Sequence, residues 1–235
     1  MMAPAAESIV VTGQRVERKM LDASSPVAVV AGEEQLGDLK LYRVPEPVTV
    51  AAKAMKQVAF LDRQSVEARL LYRVDCTPYG RFGGADGHGP AAMLLVTRNE
   101  RGKGLGIALP QGGMAVFEPS AFGPQLVAEP DLRDYAVGQD IELALGTSTQ
   151  VHARCAYAGP GEPPGEGPAW RAMRAEIANA NPHPIAMRID LGEAGQWEAR
   201  WPRRTARLKD GRLVVELEIP ANSIRTFDWR LRETL

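Results

Sequence analysis

Residues 210–219 read DGRLVVELEI, and this stretch decides the fold class. Asp210-Gly211 is a turn signal, because both residue types tolerate the positive φ angles of a tight hairpin. After the turn, the side chains at positions 213, 215, 217 and 219 are all apolar. The positions between them, 212, 214, 216 and 218, hold three charged residues and one valine. A period of two places the two sets on opposite faces of a β-strand. The stretch therefore predicts a hairpin whose second strand has one buried face.

The same alternation recurs along the chain. Runs of period two occupy residues 66–74, 151–157 and 185–191. Many short strands, each with one face in water, are typical of antiparallel sheets packed face to face. We therefore predict an all-β protein, an antiparallel β-sandwich, and two packed immunoglobulin-like lobes are one arrangement that fits.

The segment 168–182 fits two interpretations. A proline at its start and a face made of Trp170, Met173 and Ile177 fit a helix. In a strand, the odd-numbered residues 173–177 would point inward and residues 174 and 176 outward. Periodicity alone favours the helix.

Composition divides the chain into two predicted lobes, at 37–158 and 168–235. A Gly/Pro-rich loop at 159–167 separates them, and residues 1–36 form a leader that we expect to be partly disordered. Leu109-Pro110 and Ile219-Pro220 each follow a strand that ends in asparagine, Asn99 and Asn181. This internal sequence similarity is explained equally well by two related lobes and by chance.

Charge and hydropathy exclude several classes of partner. Lys+Arg total 28 and Asp+Glu total 29 in 235 residues, so the net charge is −1. Such a balance gives no long-range attraction to nucleic acid or to an anionic membrane. The apolar runs are far shorter than the roughly 18 residues of a spanning helix. We predict a soluble protein without a nucleic-acid partner or membrane insertion.

No catalytic, metal or cofactor motif stands out. The histidines at 88, 152 and 183 lack a ligand spacing, and the glycine-rich stretch 102–106 neither has the Walker spacing nor leads into a helix. No Gly-x-Ser-x-Gly elbow occurs. We predict no metal, no cofactor and no enzymatic activity. The alternative is a hydrolase whose site is assembled from loops.

The two cysteines, Cys76 and Cys155, are too few for a zinc site or a disulfide framework. In a reducing compartment both would be small buried side chains. In an exported protein they could form one bridge. Their spacing does not decide between these states.

The candidate ligand-facing residues are Trp197, Arg200, Trp201, Arg203 and Arg204. In a strand, both tryptophans face one way and Arg200 the other. If the tryptophan face is in water, aromatic rings beside arginines suit a sugar ring or an anionic ligand. If it is core, the tryptophans are packing residues and the arginines a solvated rim. The packing interpretation is favoured.

Short segments spread over residues 9–232 together carry a wider pattern. They read IVVTG (9–13), LGDLKLYRVP (36–45), VTVAA (48–52), KQVA (56–59), TRN (97–99), GLGIALP (104–110), VGQDIE (137–142), NANPHP (179–184) and LEIPAN (217–222). This combination resembles a bacterial family, domain of unknown function 4139, which overlaps the mucoidy-inhibitor-A-like proteins.

The resemblance implies a strand at 173–177, against the periodicity. It also implies that the chain is the C-terminal portion of a longer protein that is periplasmic or otherwise exported. The family has no established activity or catalytic residues to transfer. The function expected on this basis is that of a binding or scaffolding module of a cell-envelope protein, with a protein or an envelope polysaccharide as partner. A carbohydrate-binding accessory module is a further alternative.

Overall fold

The computed structural model describes residues 10–11, 32–36, 39–43, 49–50, 52, 63, 65–77, 87–159, 169–202 and 205–234. Within these ranges the chain consists almost entirely of β-strands, and its single helical element is a 3-10 turn at Arg101–Lys103. The all-β prediction is confirmed. In the same ranges, no helix has the length and apolar character needed to cross a membrane.

Of the sixteen strands in the described ranges, nine form one large sheet. The strands are β1 (Val10–Val11), β2 (Gly32–Leu36), β3 (Leu39–Arg43), β4 (Arg69–Asp75), β5 (Gly89–Arg98), β6 (Gly112–Gly113), β7 (Val116–Glu118), β8 (Gln125–Ala128), β9 (Asp131–Leu132), β10 (Asp140–Tyr157), β11 (Arg171–Asn179), β12 (Ile185–Glu193), β13 (Trp197–Arg200), β14 (Arg207–Lys209), β15 (Arg212–Ile219) and β16 (Ser223–Glu233). The large sheet has the order β13-β16-β11-β10-β5-β4-β12-β15-β14. The small sheets are β1-β7-β8, β2-β3 and β6-β9.

The large sheet is mixed, which corrects the expectation of purely antiparallel sheets. β4 and β12 run parallel, with Tyr72 opposite Met187 and Val74 opposite Ile189. These two strands are distant in sequence, so no hairpin forces them to run in opposite directions. The other seven neighbouring pairs of described strands in this sheet are antiparallel.

Strands from both predicted lobes belong to this one sheet. β4, β5 and β10, from the range 37–158, occupy its middle, and strands from 168–235 flank them on both sides. The predicted leader and the predicted loop at 159–167 lie mostly outside the described residues. The division into two lobes stays a prediction.

The strand expected from DGRLVVELEI is present. Asp210 and Gly211 have φ angles of 48° and 78° and join β14 to β15, as the turn signal predicts. On β15, Val215 and Ile219 are buried in the core and Glu218 is exposed. The segment 173–177 lies in β11, so the helix favoured by its periodicity is wrong and the strand is confirmed.

One large cluster of buried side chains lies against the concave face of the sheet. It combines Met187 of β12 with Ile177 of β11 and Trp229 of β16. Four strands separate β16 from β12 in the sheet order. Residues 194–196 alone connect β12 to β13, and five strands lie between these two in the sheet order, so the sheet must curve to bring them together. The sandwich and the immunoglobulin-like arrangement stay predictions.

Part of the opposite face of β4 and β5 is also buried, contrary to the expectation of one wet face. Leu71, at a position predicted to face water, is fully buried and contacts Leu94 and Val96. Conversely, Val66 and Ala68, which were predicted to point inward, are exposed and precede the strand. The alternation locates the strand correctly but cannot show which of its faces another layer covers.

Cys76 and Cys155 form a disulfide, with their Cα atoms 5.4 Å apart. Cys76 follows β4 and is fully buried, whereas Cys155 lies in β10 and is partly exposed. In the sheet, β5 separates these two strands. The bridge therefore ties together strands that do not hydrogen-bond to each other.

Asn99 is fully buried directly after β5 and holds the loop that follows. Its Nδ2 donates to the carbonyl oxygens of Ile107 at 2.6 Å and Ala136 at 3.0 Å. Its Oδ1 accepts a hydrogen bond from the Gly106 N–H at 3.0 Å. Gly106 has a φ of 80°, and a Cβ there would collide with the backbone of the preceding turn. The glycine-rich stretch is thus part of a tightly closed loop.

Asn179 plays the same part at the end of β11, two residues before the asparagine that we expected to end the strand. It is 2% exposed, and its Nδ2 donates to the carbonyl oxygens of His183 at 3.1 Å and Pro220 at 2.9 Å. Its Oδ1 accepts a hydrogen bond from the Asn181 N–H at 3.0 Å. In both of the similar segments, one buried asparagine, Asn99 or Asn179, therefore closes the loop that follows the strand.

Replacing Asn179 by alanine is expected to lower the free energy of unfolding by about 2–3 kcal/mol, because buried backbone groups lose their partners. Equilibrium unfolding in urea measures this loss. Gln150→Ala removes an exposed amide from the same sheet and is the matched control, with an expected change within about 0.5 kcal/mol. Equal midpoints for the two variants would contradict the loop-closing role.

Candidate functional site

The predicted tryptophan–arginine surface divides between the core and the outside of the sheet. Trp197 is 4% exposed and belongs to the large core cluster. Trp201 is half-buried, and its ring stacks on that of Trp229 with centroids 5.3 Å apart. Arg203 and Arg204 lie outside the described residues. Both tryptophans therefore pack inward, as the favoured interpretation expected.

Arg200 is exposed on the other side of β13 and meets a different tryptophan. Its Cζ lies 4.2 Å from the ring centroid of Trp170, which directly precedes β11. The Cζ of Arg232 on β16 lies 4.7 Å from the same centroid. The Arg232 Nε also donates a hydrogen bond to Glu198 at 2.6 Å. One indole ring thus positions two guanidinium groups by cation–π contact.

Arg230 completes a surface that we name the arginine face, defined by Trp170, Ala172, Arg200, Arg230 and Arg232. In the antiparallel register Arg230 lies opposite Arg200 on one side and opposite Ala172 on the other. Like charges directly opposite each other destabilise a strand pair. Within the described part of the chain, neither Arg200 nor Arg230 forms an ion pair.

The next arginine on this side of the sheet is neutralised. The Arg174 Nε donates to Asp228 at 2.7 Å, across the β11–β16 pair. This hydrogen bond, more than the charge of Arg174, holds the pKa of Asp228 below its ordinary value. The contrast shows that the uncompensated charge is concentrated at Arg200 and Arg230.

A second charged region is a groove of about 350 Å³ where β10, β12, β14 and β15 come together. Arg188 is 5% exposed there. Its Nη1 lies 2.9 Å from a Glu142 carboxylate oxygen, and its Nη2 lies 3.0 Å from a Glu216 carboxylate oxygen. The Lys209 Nζ lies 2.9 Å from an Asp140 carboxylate oxygen. These ion pairs join the edge strand β14 and strand β12 to β10.

In this groove, the pKa shifts of Arg188 and Glu216 favour the charged form of each side chain. Burial lowers the pKa of Arg188, but the hydrogen bonds and charges of Glu142 and Glu216 outweigh burial and raise it overall. Burial likewise raises the pKa of Glu216, and Arg188 reverses the shift, so that the net pKa is lowered. This network of mutually paired charges connects strands that are distant in the sheet order.

Asp190 and Asp75 bring two carboxylates together at the end of β4. They are register partners on β12 and β4, and both approach Arg212, at 3.2 Å and 2.8 Å respectively. Burial raises the pKa of Asp190, although the positive charges of Arg212 and Arg73 oppose this. A carboxyl group with a raised pKa is a feature that hydrolases use. Here Arg212 binds both carboxylates, which favours a structural role.

The described residues do not test the prediction that the protein binds no metal. His88, considered as a weak ligand together with Asp86, lies 3.1 Å from a Glu176 carboxylate oxygen, and Asp86 is outside the described residues. Among the described residues, no three His, Cys, Asp or Glu side chains form a group suited to a metal ion. The absence of metals and cofactors stays a prediction.

Sequence reasoning missed Trp170 and Arg230. Trp170 was considered only as part of one face of a possible helix, with Met173 and Ile177, and Arg230 was not considered at all. The signal that could have found them is the pairing of β13, β16 and β11, which places residues 30 to 60 positions apart side by side.

The arginine face is therefore identified as the candidate functional site from the geometry of its residues alone. No family model, curated protein or solved structure matches the chain.

Proposed function

We propose that the chain is a non-catalytic binding module of an exported bacterial cell-envelope protein, and that it binds through the arginine face. The observation that carries this proposal is the placement of Arg200 opposite Arg230 without a carboxylate partner in the described chain. Two like charges that face each other cost stability unless an anion joins them. An external anionic partner supplies that missing charge.

The disulfide supports export. Disulfides persist in oxidising compartments such as the periplasm and are rare in the cytosol, where thiols are kept reduced. Cys76 is fully buried and bridged to Cys155. The bridge therefore fits a protein that matures outside the cytosol, in agreement with what the family resemblance implies.

The rigidity of the arginine face also favours binding. Its arginines project from β13 and β16, which pair over four residue positions, and Trp170 packs against two of them. Sites on strands hold their side chains more precisely than sites on loops. A preorganised face loses less conformational entropy when a ligand binds.

The proposal is tested by sedimenting the purified, oxidised protein with isolated envelopes of the bacterium that encodes it. We expect the protein to pellet with the envelopes and to release no soluble sugar or peptide fragments over time. A protein that stays in the supernatant would overturn the binding function. Time-dependent release of fragments, abolished by Asp190→Asn, would instead establish the hydrolase alternative.

A further inference from the structure

The segment that contains strands β7 and β8 carries exposed apolar side chains beside exposed carboxylates. We name residues 116–131 the acidic hairpin. We infer that the acidic hairpin of one chain docks on the arginine face of a second copy of the chain. This inference rests on the proposed binding through the arginine face and names the partner that supplies the missing negative charge.

The tip of the acidic hairpin holds a large apolar side chain in water. Phe122 is 94% exposed, and Leu126 and Val127 on β8 are 51% and 45% exposed. The Ser120 Oγ donates to the Gly123 carbonyl oxygen at 2.7 Å and accepts a hydrogen bond from the Phe122 N–H at 3.1 Å. These bonds fix the turn with the Phe122 ring outward. Large exposed apolar side chains grouped on one hairpin indicate a surface that another molecule covers.

The charge of the acidic hairpin narrows the kind of surface that covers it. Residues 104–132 contain no lysine, arginine or histidine, and they contain three carboxylates, Glu118, Glu129 and Asp131. All three are exposed, and none forms an ion pair with another described residue. Their charge repels an anionic lipid surface. A complementary surface combines an apolar contact with positive charge that is not already paired.

The arginine face has both properties. Arg200 and Arg230 are exposed, lie opposite each other and form no ion pair within the described ranges. Trp170 is partly exposed beside them, which offers the Phe122 ring an aromatic contact. A carboxylate between the two guanidinium groups relieves their mutual repulsion. In the groove around Arg188, by contrast, the chain's own carboxylates already pair with the basic side chains.

The two surfaces belong to opposite ends of β10. The segment that carries the acidic hairpin leaves β5 after Arg98 and enters β10 at Asp140, the register partner of Arg98. The arginine face lies beside the other end, where Tyr157 pairs with Met173 and Met173 pairs with Trp229. Docking of one surface on the other therefore joins two copies head to tail. Such a contact leaves one surface of each kind free, so that association continues into open chains.

Sedimentation velocity of the purified, oxidised full chain tests this inference. We expect the mean sedimentation coefficient to rise with protein concentration in low salt. It should return to the monomer value in about 0.5 M salt, where charges are screened over a few ångströms. Phe122→Ser and the double variant Arg200→Gln/Arg230→Gln should each weaken self-association by at least about tenfold, the loss typical of an interface anchor.

Two control variants change the same residue types elsewhere. Leu208→Ser removes an apolar side chain of β14 that is 68% exposed, and Arg225→Gln removes an exposed arginine of β16. Both should associate like the parent. Equal losses for the controls and for the variants of the two surfaces would overturn the inference.

Mixing the two deficient variants is the sharpest test. Phe122→Ser keeps the arginine face, and the double arginine variant keeps the acidic hairpin. An equimolar mixture should therefore restore one contact per pair and form dimers, but no longer chains. A mixture that stays monomeric, although circular dichroism shows both variants folded, would overturn the head-to-tail contact.

The remaining outcomes separate this inference from its alternatives. Self-association that Phe122→Ser abolishes and the double arginine variant keeps would assign a contact between two hairpins instead. Binding of the parent to phosphatidylcholine vesicles that Phe122→Ser abolishes would assign the tip to a lipid surface. A parent that pellets with envelopes but stays monomeric contradicts only this inference. A parent that self-associates but does not pellet with envelopes contradicts only the envelope function.

Discussion

Replacing Trp197 by alanine is expected to lower the free energy of unfolding by about 3–5 kcal/mol, the cost of deleting a large buried aromatic side chain. The ring is 4% exposed and packs so closely on β12 that a Cβ at Gly192 would lie 2.5 Å from it. The Arg171 guanidinium lies 5.7 Å from the ring centroid on another side. Urea unfolding measures the loss.

Trp201→Ala is the matched comparison, because the same residue type is lost from the same segment. Trp201 is half-buried and rests on Trp229, so the loss should be about half as large, since the burial term scales with the apolar area removed from water. Equal losses for the two variants would show that the burial difference does not control stability here. A Trp197→Ala variant as stable as the parent would remove Trp197 from the core.

Reducing the Cys76–Cys155 bridge is expected to cost about 4 kcal/mol, because the closed loop is long and its closure restricts the unfolded chain strongly. The two cysteines are 79 positions apart in sequence. For a domain of this size the melting temperature should fall by roughly 10 °C. Thermal unfolding with and without dithiothreitol gives the difference.

The control for this experiment is the variant Cys76→Ala/Cys155→Ala, whose melting temperature should not respond to dithiothreitol. It should also lie close to that of the reduced parent. If dithiothreitol leaves the parent unchanged while mass spectrometry shows free thiols, the bridge does not stabilise the fold. If the oxidised protein carries two free thiols, the pairing itself is wrong.

Strand positions could be predicted from sequence because period two is a local property. Val215 and Ile219 on β15, and Met173 and Ile177 on β11, point inward as the alternation indicates. What covers the second face of a strand is not local. Leu71 is buried in a cluster with Leu94 and Val96 of β5 and Ala186 of β12, the strands on either side of β4, and no short window of sequence contains that pairing.

The candidate site was predicted only in part for the same reason. Arg200 was singled out correctly as facing away from the tryptophans of its own segment. It contacts Trp170, which directly precedes β11, and it lies opposite Arg230 of β16. A contact among three strands depends on sheet order, and sheet order is decided by the packing of the whole chain.

The interleaved strand order makes this chain a candidate for fragment complementation. A cut after Tyr157 would separate β4, β5 and β10 from every strand that flanks them. The first fragment would then expose two open sheet edges, where β11 and β12 normally pair, and open edges invite aggregation. The second fragment would lack the middle of its own sheet. Each piece would therefore act as the template on which the other folds. If each fragment were fused to a different protein, reassembly of the sheet would report that those two proteins bind each other.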